Sequence, residues 1–238
     1  MENRLGEIHR KIAELSEDKY REFNKKLLPG IADVAGVRLP ALRKLAGQLA
    51  KEGWQQWSEQ MKAGWERGEL CHEERILWGL IFASGARTWK EVLPFVRDYL
   101  PAIDSWAVCD TVCGTLKAAR NTREESWPFV CSCLKSDQEY VCRTGSVLLL
   151  SHFLEKEYCR RAFLGMEERG SRAYYSNMAA AWALSLYYLK FSEDTLAYLK
   201  ESRLDDWTYN KALQKICESL RPSPETREMI RSMKRKKS

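Results

Sequence analysis

The stretch YVCRTGSVLLLSHFL, Tyr140 to Leu154, carries one full charge, Arg143. Two other stretches share that character. IDSWAVCD, Ile103 to Asp110, opens a segment in which Asp110 is the one charge between Ser105 and Leu116. NMAAAWALSLYYL, Asn177 to Leu189, has no charge at all, and Trp182 stands there among four alanines. No part of the chain alternates with a period of two, whereas helical periodicity recurs throughout.

Read outward from these stretches, the pattern predicts helices at about 3–15, 17–28, 40–51, 53–62, 71–84, 88–99, 104–118, 122–134, 137–154, 156–167, 172–188, 192–201, 205–219 and 223–235. Several starts carry capping chemistry. Thr88, Asp104, Asp137 and Asp205 or Asp206 precede helical runs, and Pro40 suits a first turn, where its missing N–H costs nothing. Composition agrees. Among 238 residues, 45% are apolar, while Gly (13) and Pro (7) are scarce, too few for a strand-and-turn architecture.

Connections are short, and no Gly/Ser/Pro-rich linker interrupts residues 30–220, which predicts one domain over 1–238. The helices follow as pairs in a unit of about 35–40 residues. The expected fold is all-α, with HEAT-like antiparallel pairs stacked into a curved solenoid with a concave groove. A compact irregular bundle is the alternative. The last part, about 221–238, reads as a helix and a basic tail. RSMKRKKS, Arg231 to Ser238, has five basic residues and no acid, so it is expected to fray. It suits either weak contact with nucleic acid or a solvated terminus without a role.

The net charge of +6 suits an anionic partner. Eight Cys occur without a paired C-x-x-C, which predicts reduced core thiols and no metal site. CHEER, Cys71 to Arg75, lacks the second His of a zinc motif. The N-terminal MENRLGEIHRKIAE has no apolar run, and no apolar segment reaches about 18 residues. A cytoplasmic protein without membrane contact is expected. No phosphate-binding glycine loop appears, so no cofactor is expected. Glu73–Glu74 and the acids of EESW, Glu124 to Trp127, read as solvated surface.

Residues four apart share a helix face, so Trp106 and Asp110 project together, with Ala107 leaving room beside them. Arg143 follows Asp110 by 33 residues, and Trp182 follows Arg143 by 39. In a stack with a unit of that length, all four recur on one wall and line one groove. The same spacing suits a buried Asp–Arg salt bridge with Trp filling core.

At these residues the sequence resembles the AlkD-type DNA alkylation repair family of HEAT-like glycosylases. Four pieces carry the resemblance, in order, between about residues 20 and 220: GVRLPALRKLA (Gly36 to Ala46), IDSWAVCD, VCRTGSVLLL and NMAAAWALS. It implies a catalytic carboxylate at Asp110, Trp106 and Trp182 against the deoxyribose of the damaged nucleotide, and Arg143 on the adjacent phosphate. Phe23 is the nearest match to an early-helix aromatic that touches the lesion. Lys211 and Lys215 resemble a late basic helix that contacts phosphates. The implied partner is double-stranded DNA with alkylated bases, bound by a monomer. Departures are Ala107 and Cys109, where better-known members carry bulkier or polar residues, and Asn177–Met178, where some carry Lys.

The implied activity is excision of cationic N3- and N7-alkylated purines without base flipping. Such a base leaves as a neutral molecule, so no general acid is required. What needs stabilising is positive charge on the sugar. An ionised carboxylate near C1′ and indole faces both supply that. A non-catalytic HEAT-like module that binds nucleic acid is the alternative, and a protein-binding helical scaffold a third reading.

Overall fold

The computed structural model describes residues 4–236. The expected helix start at residue 3 and the tail residues Lys237 and Ser238 lie outside them. The chain forms two compact units, Met1–Glu125 and Ser126–Ser238. The first holds α1 (Arg4–Leu15), α2 (Asp18–Leu27), α3 (Leu39–Glu66), α4 (His72–Gly85), α5 (Trp89–Tyr99), α6 (Trp106–Thr115) and α7 (Lys117–Asn121). The boundary falls in the first turn of α8 (Arg123–Leu134). The second unit continues with α9 (Glu139–His152), α10 (Cys159–Glu167), α11 (Tyr174–Lys190), α12 (Ser192–Glu201), α13 (Asp206–Glu218) and α14 (Pro224–Ser232). Among the described residues every regular element is helical, and the architecture is all-α and HEAT-like.

The repeat is visible in the bonding, because partners recur about one unit apart in sequence. In the first unit the separations are 38 for Ala35 N–H to Glu73, 36 for Lys62 to Asp98 and 33 for Trp89 N–H to Thr122. In the second they are 36 for Tyr175 N–H to Glu139, 34 for Tyr187 to the Phe153 carbonyl and 38 for Lys156 to Asp194. The inner helices pack in the same rhythm: α4 lies against α3 and α6, and α11 against α9 and α13.

Helix ends follow local chemistry. Thr88 and Glu91 form a capping box on α5, Ser105 Oγ accepts the Val108 N–H on α6, and Asp205 accepts the Thr208 N–H on α13. Pro40 sits in the first turn of α3. Two expected helices, 40–51 and 53–62, are one element kinked at Gly53, where φ is +133°. The expected helix 104–118 breaks at Leu116 into α6 and α7. Asp104 and Asp137 do not cap. Ser105 holds the cap position of α6 while Asp104 pairs with Arg75, and Gln138 precedes α9 without a side-chain bond.

The carboxylates of Glu73 and Glu74 are buried, contrary to the surface expected of them. Glu73 accepts the consecutive N–H groups of Ala35, Gly36 and Val37 at 2.7, 2.8 and 3.4 Å. Glu74 accepts from His9 Nδ1 at 2.6 Å and from the Cys71 N–H at 2.9 Å. Adjacent acids point apart on a helix, and here each meets a different set of donors. The acids of EESW are exposed as expected.

Gly36 is required where it stands. Its φ is +88°, and a Cβ there would lie 2.7 Å from Arg21 Cβ and 2.8 Å from the Glu17 carbonyl oxygen. That close approach lets the Glu17 N–H bond the Gly36 carbonyl at 3.0 Å.

In the second unit Arg169 is fully buried. It donates to Asn177 Oδ1, the Met166 carbonyl, Asp205 Oδ2 and Thr208 Oγ1. Burial lowers the guanidinium pKa, against the pull of Asp205. For Asp205, burial pushes upward, but the Thr208 N–H and the Arg169 guanidinium outweigh it and hold the carboxyl below its ordinary value. The basic tail is tied down rather than frayed as far as it is described. Arg235 exchanges two 2.9 Å hydrogen bonds with Asn210, donates to the Ser202 and Leu204 carbonyls, and stacks 3.9 Å from the Tyr209 ring centre.

Two outcomes follow from these contacts. Gly36→Ala is expected to lower unfolding free energy by about 2–4 kcal/mol in urea titrations, from the positive φ and the blocked approach together. Asp205 contributes stability that is complete above its unfolded pKa of about 3.9 and is lost as pH falls from there through its lower folded value. Asp205→Asn should therefore cost about 2–3 kcal/mol at neutral pH, less than a wholly buried pair because Asp205 is a third exposed. The gap between variant and wild type should close as urea titrations move below pH 4.

Candidate functional site

In α6 the apolar side faces the core. Val108, Cys109, Val112 and Cys113 are buried, while Trp106, Ala107, Asp110 and Thr111 form the half-buried face. The helix is drawn close to α4 by Gly79, where a Cβ would come within 2.2 Å of Val112 Cγ2. Trp106 and Asp110 thus share one face, one turn apart, on a helix seated by its neighbour.

The indole of Trp106 is oriented by a hydrogen bond. Its Nε1–H donates to the Leu27 carbonyl at 3.2 Å, at the end of α2. Phe23 lies one turn earlier on α2 and is 56% exposed, with its ring 6.2 Å from that of Tyr20. The early aromatic and the Trp–Asp helix therefore belong to one neighbourhood of the first unit. Arg43 joins them from α3. Its Nη1 donates to Thr115 Oγ1 at 2.8 Å, and that hydroxyl donates to the Thr111 carbonyl at 2.8 Å. Arg43 closes the GVRLPALR signature, and only its place in that motif marked it beforehand.

In the second unit, Arg143 is 4% exposed, and its Nη1 donates to the Tyr175 carbonyl at 2.7 Å. With its charge nearly withdrawn from solvent, it holds the first turn of α11 against α9. Trp182 is half-buried on α11, and the alanines at 179, 180, 181 and 183 around it are buried. The small residues let α11 pack closely on both sides while one large ring stays on the remaining face. Lys211 and Lys215 lie one turn apart on α13, both half-buried. Lys211 Nζ sits 5.7 Å from the Trp207 ring centre and donates to Gln214 Oε1 at 3.0 Å.

The three histidines occupy other places. His9 is engaged with Glu74, and His72 and His152 are buried. Burial lowers the His72 pKa, against the pull of Glu73 and Asp104. Among the described residues no disulfide joins the cysteines. Among the described residues no helix is long and apolar enough to cross a membrane.

The family described as DNA alkylation repair enzyme matches residues 8–216. That span takes in α6, α9, α11 and nearly all of α13. The chain belongs to this family. Its role therefore lies in DNA alkylation repair, with DNA as its partner. No match was found among curated proteins or among solved structures. Within the family span, Trp106 and Asp110 occupy the helix that Gly79 and Leu27 hold from two sides.

Removing the indole donor tests how firmly that helix is seated. Trp106→Phe keeps a ring but gives up the bond to Leu27. It should lower unfolding free energy by about 1 kcal/mol in urea titrations. Unchanged stability would show that the Leu27 bond does not help to seat the helix.

Proposed function

We propose that this family member is a DNA glycosylase that excises cationic N3- and N7-alkylated purines from duplex DNA. Asp110 is the acting carboxylate in this reading. It stabilises positive charge on the sugar as the glycosidic bond breaks and orients the attacking water. Trp106 offers an indole face to that developing cation, an attraction of about 0.5–2 kcal/mol, and Trp182 is assigned to the deoxyribose as the family resemblance implies. Phe23, Lys211 and Lys215 are assigned to the DNA side, Phe23 towards the lesion and the lysines on phosphates. Arg143 is assigned to the adjacent backbone phosphate, from a position at which it also bonds the Tyr175 carbonyl at the start of α11.

The observation that carries the reading is the half-buried face of α6. A carboxylate partly screened from water acts more strongly on a nearby cation than one in bulk solvent. A ring one turn away adds to the same field. The placement of the histidines is a second support. None accompanies Trp106 and Asp110 on α6, and a positively charged base needs none, since it departs neutral. Selectivity follows: the enzyme should favour cationic lesions and leave neutral adducts in place.

The test is release of 7-methylguanine from methylated duplex DNA. Wild type should release it, and Asp110→Asn should be slower by about 10²–10³-fold, the range for removing one preorganised electrostatic group. Equal rates for the two proteins would remove Asp110 from the mechanism. If wild type releases nothing yet binds duplex in a salt-dependent way, the non-catalytic nucleic-acid module becomes the function.

A further inference from the structure

Four aromatic rings on the second unit form a continuous ridge. Tyr140 stacks on Tyr175 with ring centres 5.6 Å apart, Tyr175 meets Tyr174 edge-on at 5.2 Å, and Tyr174 meets Trp207 at 5.7 Å. Two of the four rings are open to solvent, Tyr174 at 57% and Trp207 at 41%, and Tyr140 and Tyr175 are half-buried. Large rings that exposed, in contact with one another, are not filling core.

The ridge stands on a rigid base. Tyr175 is held at both backbone atoms, its N–H by Glu139 and its carbonyl by buried Arg143. Trp207 lies in the first turn of α13, whose cap Asp205 is gripped by buried Arg169. From Trp207 the face of α13 runs on through Lys211 and Lys215 at successive turns. The two acids nearest that start are already matched, Asp205 by Arg169 and Arg172 and Asp206 by Arg235. A ring followed by two lysines presents a stacking face next to an anion-attracting face.

We propose that the ridge of Tyr140, Tyr175, Tyr174 and Trp207, with Lys211 and Lys215 beside it, is a stacking platform for unpaired bases of single-stranded DNA. Every base has a π-face that a ring can cover, but in a duplex those faces are hidden by neighbouring pairs. Lys211 and Lys215 follow the phosphates, and Trp207 and Tyr174 take the bases. The inference rests on the nucleic-acid side of the proposed function and not on base excision.

The test is fluorescence anisotropy with a labelled oligothymidine of about 16 nucleotides, beside a strand of equal length and charge that lacks bases. Wild type should prefer the strand with bases. Trp207→Ala should weaken oligothymidine binding about tenfold, and Trp207→Phe should restore most of it. Tyr174→Ala should act in the same direction, which keeps the outcome readable if one variant folds poorly. Lys211→Ala with Lys215→Ala should weaken both strands alike and reduce the salt slope by about 1.4. Equal wild-type affinity for the two strands, or unchanged oligothymidine binding by both ring variants, overturns the platform while leaving duplex repair standing. Failure of wild type to bind any DNA at low salt overturns both.

Discussion

A charge taken out of water has to be met by hydrogen bonds inside the protein, and each unit is arranged around one such charge. In the first unit it is Glu73, whose carboxylate gathers three consecutive N–H groups of the loop before α3. That loop contains Gly36, and its strained φ is what turns the three N–H groups toward one acceptor. In the second unit it is Arg169, which spends its donors on α10, α11, the cap of α13 and α13 itself. Either charge left unmet would cost more than the surrounding apolar contacts could replace, so the position of α3 in one unit and of α11 and α13 in the other is tied to it.

This explains why the signature residues carry little chemistry themselves. Gly36 makes room for α2, Val37 is buried, Pro40 opens α3, and Arg43 reaches α6 through Thr115. Through Arg43 they brace α6 at one point, while Gly79 of α4 seats the helix and Leu27 orients its indole. A motif that identifies a family is here a packing device one step removed from the site.

Much of the helical framework was legible because period and caps agree. Thr88, Pro40 and Asp205 act as their residue types suggest, and the roughly 36-residue rhythm reappears as hydrogen bonds between equivalent positions. What was not legible depends on long-range partners. Glu73 and Glu74 look like any solvated acidic pair until the loop at 35–37 and His9 are brought against them. Asp104 looks like a cap until Arg75, on another helix, claims it. The tail looks like a frayed basic end until Asn210 engages its backbone. In each case local sequence states what the side chain is able to do, and the fold selects which of those options is used.

The same logic bears on where the carboxylate proposed to act is placed. A buried acid in this protein ends up saturated, as Glu73 and Glu74 are, because an unmet charge in the interior is too costly. An acid in full solvent is cheap to place but weak in its field, because water screens it. The half-buried face of α6 lies between those limits, and the other side of the helix, Val108, Cys109, Val112 and Cys113, is packed into the core. Placing the carboxylate one turn from an indole whose N–H is already engaged by Leu27 leaves the π-face, not the polar edge, as what the ring has to give. A cation is the species that both groups favour together, and that preference is the physical basis of the proposed excision of charged purines.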